Sequence, residues 1–259
     1  MDDGAVGRMF FNRVERNGAR TLFKVKRDGR YSDISWNQAG RTSREFAMGL
    51  LEAGIEHGDR VSLLSENRPE WAFADLGILS IGAVNVPIYA TNTPKQVEYI
   101  VNDSASRILI VSGENQLQKA IEARPNCPSL EKIIVFDEIG RTDYPMVHTF
   151  SDVCAIGAKS DKEELFRQRL EAVRPQDLAS IIYTSGTTGD PKGVMLIHDN
   201  FLANCRSVEQ ILPIIEGDIC LSFLPLSHSF ERMAGYYVPL YVGTTIAYAE
   251  SVDTVRENL

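Results

Sequence analysis

The sequence predicts an α/β fold: two stacked, mostly parallel sheet units with flanking helices. Three observations predict it. Short apolar runs alternate with helix-patterned segments of about 10–15 residues, the alternation that builds parallel sheets. The runs RVSLLSE (60–66), AVNVPIY (83–89) and RILIVS (107–112) are near-continuous rather than alternating, as strands covered on both faces are. With 259 residues, 44% of them hydrophobic, the chain buries roughly three quarters of its unfolded surface and needs no staples.

The elements follow in order. Residues 21–36 read as a hairpin, two β-rich runs around Asp28-Gly29, a pair suited to the positive φ values of a tight turn. From Asn37 the pattern turns helical, with Phe46, Leu50 and Leu51 on one face and Gly54 as a stop. A strand (60–66) is followed by a helix (69–82) opening on Pro69, a good first-turn residue. Next come a strand (83–89), a helix (93–104) capped by Thr93, a strand (107–112), a helix (114–124) and a strand (132–137). Residues 138–177 are more polar, with one solvated helix (159–173) that Pro175 ends. A second α/β run follows: strands at 179–185, 193–198, 218–225 and 244–250, with helices from Asp199 and around 230–242. The expected division is a first α/β subdomain at 1–175, carrying the hairpin, and the start of a second at 176–259. The last segment, SVDTVRENL, begins like a helix capped by Ser251 and stops after two turns, which reads as a chain cut from a longer one.

Composition removes several function classes. Lys plus Arg number 27 against 35 Asp plus Glu, a net charge of −8, which argues against a nucleic-acid binder. The four cysteines (127, 154, 205, 220) form no CxxC pair and suit free thiols in a reducing cytosol. The four histidines are far apart, with no HExxH, so a structural zinc site is not expected. The N-terminus is charged throughout and has no signal-peptide core. The most apolar stretch, residues 71–90, contains Asp75, Asn85 and Pro87. It reads as a buried helix running into a buried strand rather than a membrane span.

Chemistry concentrates in YTSGTTGDPKG, residues 183–193. An apolar strand runs into three glycines, four hydroxyls (Thr184, Ser185, Thr187, Thr188) and Lys192. Glycines let backbone N–H groups approach a ligand, hydroxyls donate to oxyanions, and lysine adds a compact positive charge. Together these suit a polyphosphate, although the same residue types also make ordinary surface turns. The loop is not a Walker A loop, because position 191 is proline and Gly193 follows Lys192.

The string YTSGTTGDPKGV resembles the signature phosphate loop of the adenylate-forming superfamily: acyl-CoA synthetases, amino-acid-adenylating domains and luciferases. ISWNQ, the stretch from Arg60 to Tyr89, and LSFLPLSHSFERMAGYYVPLYVGTTIAYAES resemble the same family in the expected order, and so cover nearly the whole chain. LPLSHSFER is similar to the long-chain fatty acyl-CoA synthetases, which implies the front of that family's large N-terminal domain. The resemblance implies that Thr184, Ser185, Gly186, Thr187, Thr188, Gly189 and Lys192 hold the phosphates of ATP, and that Thr184 reaches Mg2+. It implies that His228 lies near the substrate carboxylate and the α-phosphate, where a satisfied histidine in an apolar turn is the plainer alternative. The implied reaction activates a fatty acid to an acyl-adenylate and transfers it to CoA.

Other adenylate-forming ligases, for aryl or medium-chain acids or for amino acids, and a non-catalytic nucleotide-binding module remain alternatives. A serine-hydrolase reading fails for want of GxSxG. Phe230, Tyr236 and Tyr237 are candidates for an acyl tunnel, plain core being the simpler reading, and Glu231 and Arg232 could form a local ion pair. His57, His148 and His198 read as solvated or structural, Cys205 and Cys220 as small core residues. The family's adenine- and ribose-binding segments and its C-terminal catalytic lysine are not in this sequence, so residues 1–259 alone are expected to be inactive. The resemblance suits a cytoplasmic protein and leaves peripheral membrane association and a homodimer open.

Overall fold

A computed structural model describes residues 3–27, 29–139, 144–184, 190–250 and 254–258. The chain opens with helix α1 (Val6–Asn17), strands β1 (Thr21–Arg27) and β2 (Arg30–Ser35), and helix α2 (Trp36–Glu52). Then come β3 (Arg60–Leu64), α3 (Pro69–Ser80), β4 (Val84–Ile88), α4 (Pro94–Asp103), β5 (Ile108–Val111), α5 (Glu114–Ala123) and β6 (Lys132–Val135). They are followed by β7 (Val147–Thr149), α6 (Phe150–Ala158), α7 (Glu163–Ala172), β8 (Leu178–Thr184), β9 (Lys192–Ile197) and α8 (His198–Glu209). The remainder is β10 (Ile219–Ser222), α9 (Ser229–Glu231), a π-helical segment (Arg232–Tyr237), α10 (Val238–Val242), β11 (Thr245–Tyr248) and α11 (Val255–Asn258).

The strands form two mixed sheets, a seven-stranded one in the order β7-β6-β5-β3-β4-β8-β9 and a four-stranded one in the order β10-β11-β1-β2. The large sheet is parallel up to β8, and β9 returns antiparallel to it. In the small sheet β10, β11 and β1 are parallel and β2 is the antiparallel partner of β1. Both sheets cross residue 175. The N-terminal hairpin, expected with the first half, pairs with the late strand β11, while β8 and β9, expected to start a second unit, extend the large sheet. An apolar strand run does not encode its neighbour, and here the pairing is long-range.

Alternate residues of the large-sheet strands feed two cores. Val61, Leu63, Ile108 and Ile110 face one with α1, α2 and α3; Leu64, Leu109 and Val111 face the other with α4 and α5. Helix α3 contributes to the first core between the two sheets: it lies in the β3–β4 crossover, and its Phe73 packs edge-on against Phe23 of β1 at 5.9 Å. That explains a helix apolar all round and bears out the buried helix-to-strand reading of residues 71–90.

Two helices and a strand escape the sequence reading. In α1 the buried residues Val6, Met9 and Phe10 keep an i, i+3, i+4 stripe that the surrounding charges hide. Strand β7 and helix α6 lie in the stretch read as polar. Helix α6 packs against α2 at a pair of glycines: a Cβ at Gly49 would run into the Val153 carbonyl, and one at Gly157 into the Glu45 carbonyl. The adjoining rings of Phe46 and Phe150 stack at 4.6 Å.

Candidate active site

Strand β8 carries its apolar run to Tyr183 and ends on the exposed Thr184, which stands directly opposite the exposed Lys192 at the start of β9. The structure thus places the first and last expected phosphate-contacting residues side by side. Ser185, Gly186, Thr187, Thr188 and Gly189 lie outside the described residues. Two tyrosines brace the base of the loop. The Tyr183 hydroxyl donates to Asp103 Oδ2 at 2.5 Å, and that of Tyr99 donates to the Pro191 carbonyl at 3.1 Å. Burial, and after it the Asp103 carboxylate, push the Tyr183 phenol well above its ordinary pKa, so it stays a donor. The third glycine of the motif has a packing role. Gly193 lies opposite Tyr183, and a Cβ there would meet Ile181 Cγ2 at 2.6 Å and the Tyr183 ring at 3.2 Å.

A cleft of about 390 Å³ opens at the carboxyl ends of β4 and β8, lined by residues that include Pro87, Tyr89, Asn92, Thr184 and His228. Ligands of open α/β sheets bind outside the carboxyl ends of the strands. His228, 44 residues from Thr184 in the sequence, thus borders the same space. Its Nδ1 accepts from the Phe230 N–H at 3.1 Å, so in the neutral ring the proton sits on Nε2, which is left as a donor.

The turn bearing His228 is fixed at both ends. Before it, Asn67 donates to the Leu224 carbonyl at 2.6 Å and accepts from the Leu226 N–H at 2.8 Å. After it, the Arg232 N–H donates to the His228 carbonyl at 3.0 Å. Glu231 turns inward to accept from the Ser222 hydroxyl of β10 at 2.7 Å, and burial pushes its carboxyl above the ordinary range.

Arg232 does not form the expected local pair with Glu231. Its guanidinium is fully buried and donates to Asp75 Oδ1 at 2.5 Å, to the Ser180 hydroxyl at 2.6 Å and to the Tyr237 hydroxyl at 2.9 Å. The Tyr237 hydroxyl donates onward to Asp75 Oδ2 at 2.8 Å, and Asn85 donates to Asp75 Oδ1 at 2.5 Å. The rings of Trp71, Phe201 and Tyr237 each stand 5.4 Å from the guanidinium carbon.

Tyr236 and Tyr237 are therefore core, at 0% exposure, while Phe230 is 62% exposed. Asp75, Asn85 and Ser180 are the site-supporting residues that the sequence reading missed. The available signal was an Asp and an Asn inside the most apolar stretch, which need a buried partner. Of the remaining histidines, His198 is buried, its Nδ1 accepting from the Val6 N–H at 3.2 Å, and His57 pairs with Asp177 at 3.1 Å. All four cysteines are free thiols; Cys205 is buried and Cys220 only half-buried.

Among the described residues no group of three or more His, Cys, Asp or Glu could hold a metal, and no helix is long and apolar enough to cross a membrane. A single hydroxyl such as that of Thr184 fits Mg2+, which keeps several waters and is shared with substrate phosphates rather than caged by protein.

Comparison with known proteins bears on the family and the fold. Residues 10–259 match the model of the AMP-binding enzyme family. The chain is 30% identical over 263 residues to the long-chain-fatty-acid–CoA ligase ACSBG1 of Bos taurus, covering 97% of this chain and 36% of that protein. It is 32% identical over 245 residues to the long-chain-fatty-acid–CoA ligase FadD15 of Mycobacterium tuberculosis, covering 93% of this chain and 40% of the relative. The chain thus spans well under half the length of these curated relatives. Among solved structures, the anthranilate CoA ligase AuaEII in complex with anthranoyl-AMP superposes with a TM-score of 0.82 at 24% identity, over 98% of this chain and 46% of that one. The inhibitor-bound N-terminal domain of FACL13 from Mycobacterium tuberculosis gives 0.76 at 22%, over 98% of this chain and 59% of that one. Both show the α/β fold of CoA-ligase N-terminal domains. Sequence motif, fold and family match coincide: the chain belongs to the AMP-binding enzyme family.

Proposed function

We propose that this chain is the phosphate-holding part of an AMP-forming long-chain fatty acid–CoA ligase, with ATP, a fatty acid and CoA as substrates. The observation that carries the reading is that Thr184 and His228 line one cleft, with Lys192 paired opposite Thr184, in a chain matched to the AMP-binding enzymes from residue 10 to 259. The names of the curated relatives support the long-chain substrate class.

In the proposed reaction the fatty-acid carboxylate attacks the α-phosphorus of ATP and pyrophosphate leaves. The thiol of CoA then displaces AMP from the acyl-adenylate. Lys192 and the Thr184 hydroxyl hold the leaving polyphosphate, with residues 185–189 of the loop between them. His228 donates from Nε2 to an oxygen of the carboxylate or α-phosphate, holding the two reactants in line. Bound Mg2+, with Thr184 as its protein ligand, would spread the phosphate charge. The proposed setting is the cytoplasm, a reading that free thiols support.

The test is ATP–pyrophosphate exchange by the ligase carrying this chain, against a panel of fatty, aryl and amino acids. Exchange that depends on long-chain fatty acids supports the reading. Preference for an aryl or amino acid moves the protein to another branch of the family. ATP binding without exchange for any acid makes it a nucleotide-binding module.

A further inference from the structure

We propose that Arg232 is a positioning residue for His228: one buried cation ties the His228 turn to the strand that ends at Thr184. The proposal rests on the ligase reading for what the cleft binds, and on geometry for the tie itself. The backbone N–H of Arg232 holds the His228 carbonyl at 3.0 Å, while its guanidinium holds Ser180, four residues before Thr184 on β8, at 2.6 Å. Asp75 of α3 completes the anchor at 2.5 Å.

The local backbone is bent to this end. Residues five apart on a regular α-helix sit about 140° apart around the axis, so a hydroxyl at 237 would not reach a guanidinium at 232. The π winding of Arg232–Tyr237 carries the extra residue that brings them to 2.9 Å, and such windings recur at functional sites. Lysine could not take the place of this residue. Three partners in three directions need the rigid fork of a guanidinium. A cation buried only for stability would be a poor choice, since apolar residues of similar volume often serve as well or better. Here it also joins two sides of a cleft that meet nowhere in the sequence.

The experiment uses ring ¹⁵N NMR of the histidines in the ligase carrying this chain, with the His228 signals assigned from a His228→Gln spectrum and with MgATP as probe. Tyr237→Phe removes one hydroxyl from the anchor and keeps the cation; Arg232→Lys keeps the charge and loses the fork. Folding is checked by circular dichroism, and Tyr237→Phe carries the test if Arg232→Lys unfolds. In the wild type the Nδ1 signal should be that of an acceptor nitrogen. In folded Tyr237→Phe it should move toward the tautomer average of free imidazole, and the MgATP-induced shift of His228 should shrink. Unchanged His228 signals and an unchanged MgATP response in folded Tyr237→Phe would overturn the proposal. A wild-type His228 that ignores MgATP while the variant still shifts in the free protein would overturn the ligase reading and leave the tie standing.

Discussion

The two sides of the cleft are built in opposite ways. The β8–β9 side is local: Thr184 and Lys192 face each other across one antiparallel pair, both exposed, and two tyrosine hydroxyls brace the base. The His228 side is assembled from distant segments, with Asn67 reaching residue 224 through a part-buried bond and Asp75 and Ser180 reaching Arg232 through buried ones. The first side carries chemistry at low structural cost. The second carries a single imidazole and commits a fully buried cation to holding it. Damage to the exposed Thr184 and Lys192 of the first should therefore show in binding, and damage to the second should show first in folding.

The largest expected effect is on the second side. Arg232→Met leaves Asp75 buried without its cation, which should cost about 3–5 kcal/mol of folding stability, read from urea denaturation midpoints. An exposed-surface change such as Lys192→Ala should stay within about 0.5 kcal/mol in the same experiment.

Next in size is a pH effect in α8, the helix that follows β9. Burial holds His198 down to about 4, the Asp177 charge opposing, against an ordinary value of 6.5. Above pH 6.5 both states are neutral there and its contribution is complete. Between 6.5 and 4 the unfolded chain takes up a proton that the folded chain refuses, so stability falls as pH falls, by an amount on the order of 3 kcal/mol. His198→Asn keeps an acceptor for the Val6 N–H and should flatten that part of the stability–pH curve. A smaller effect is expected at Gly193→Ala. The new Cβ displaces the Tyr183 ring and loosens its bond to Asp103, for about 1–3 kcal/mol, seen as a lower melting temperature.

The same contrast explains what the sequence made legible. The phosphate loop is a run of neighbours, so its residue types and spacing announce it, and β3, β4 and β5 announce themselves as continuous apolar runs alternating with the helix-length segments of α3, α4 and α5. The anchor of His228 is invisible to either test. Its members lie at 75, 85, 180, 232 and 237, on two helical segments and two strands, and no periodicity links them. Asp75 and Asn85 were visible only as polar interruptions of an apolar stretch. The hairpin at 21–36 was legible as a hairpin, but its pairing with β11, more than 200 residues on, was not. Helix α6 was lost because the glycines that let it approach α2 look like loop residues.

The most direct test of the account is calorimetric titration of MgATP into the ligase carrying this chain, as wild type and as Lys192→Ala. The account predicts binding about tenfold or more weaker in the variant, the loss expected for a charged hydrogen-bond donor, at an unchanged melting temperature. Equal affinity in the two proteins, or no binding by either, would contradict it.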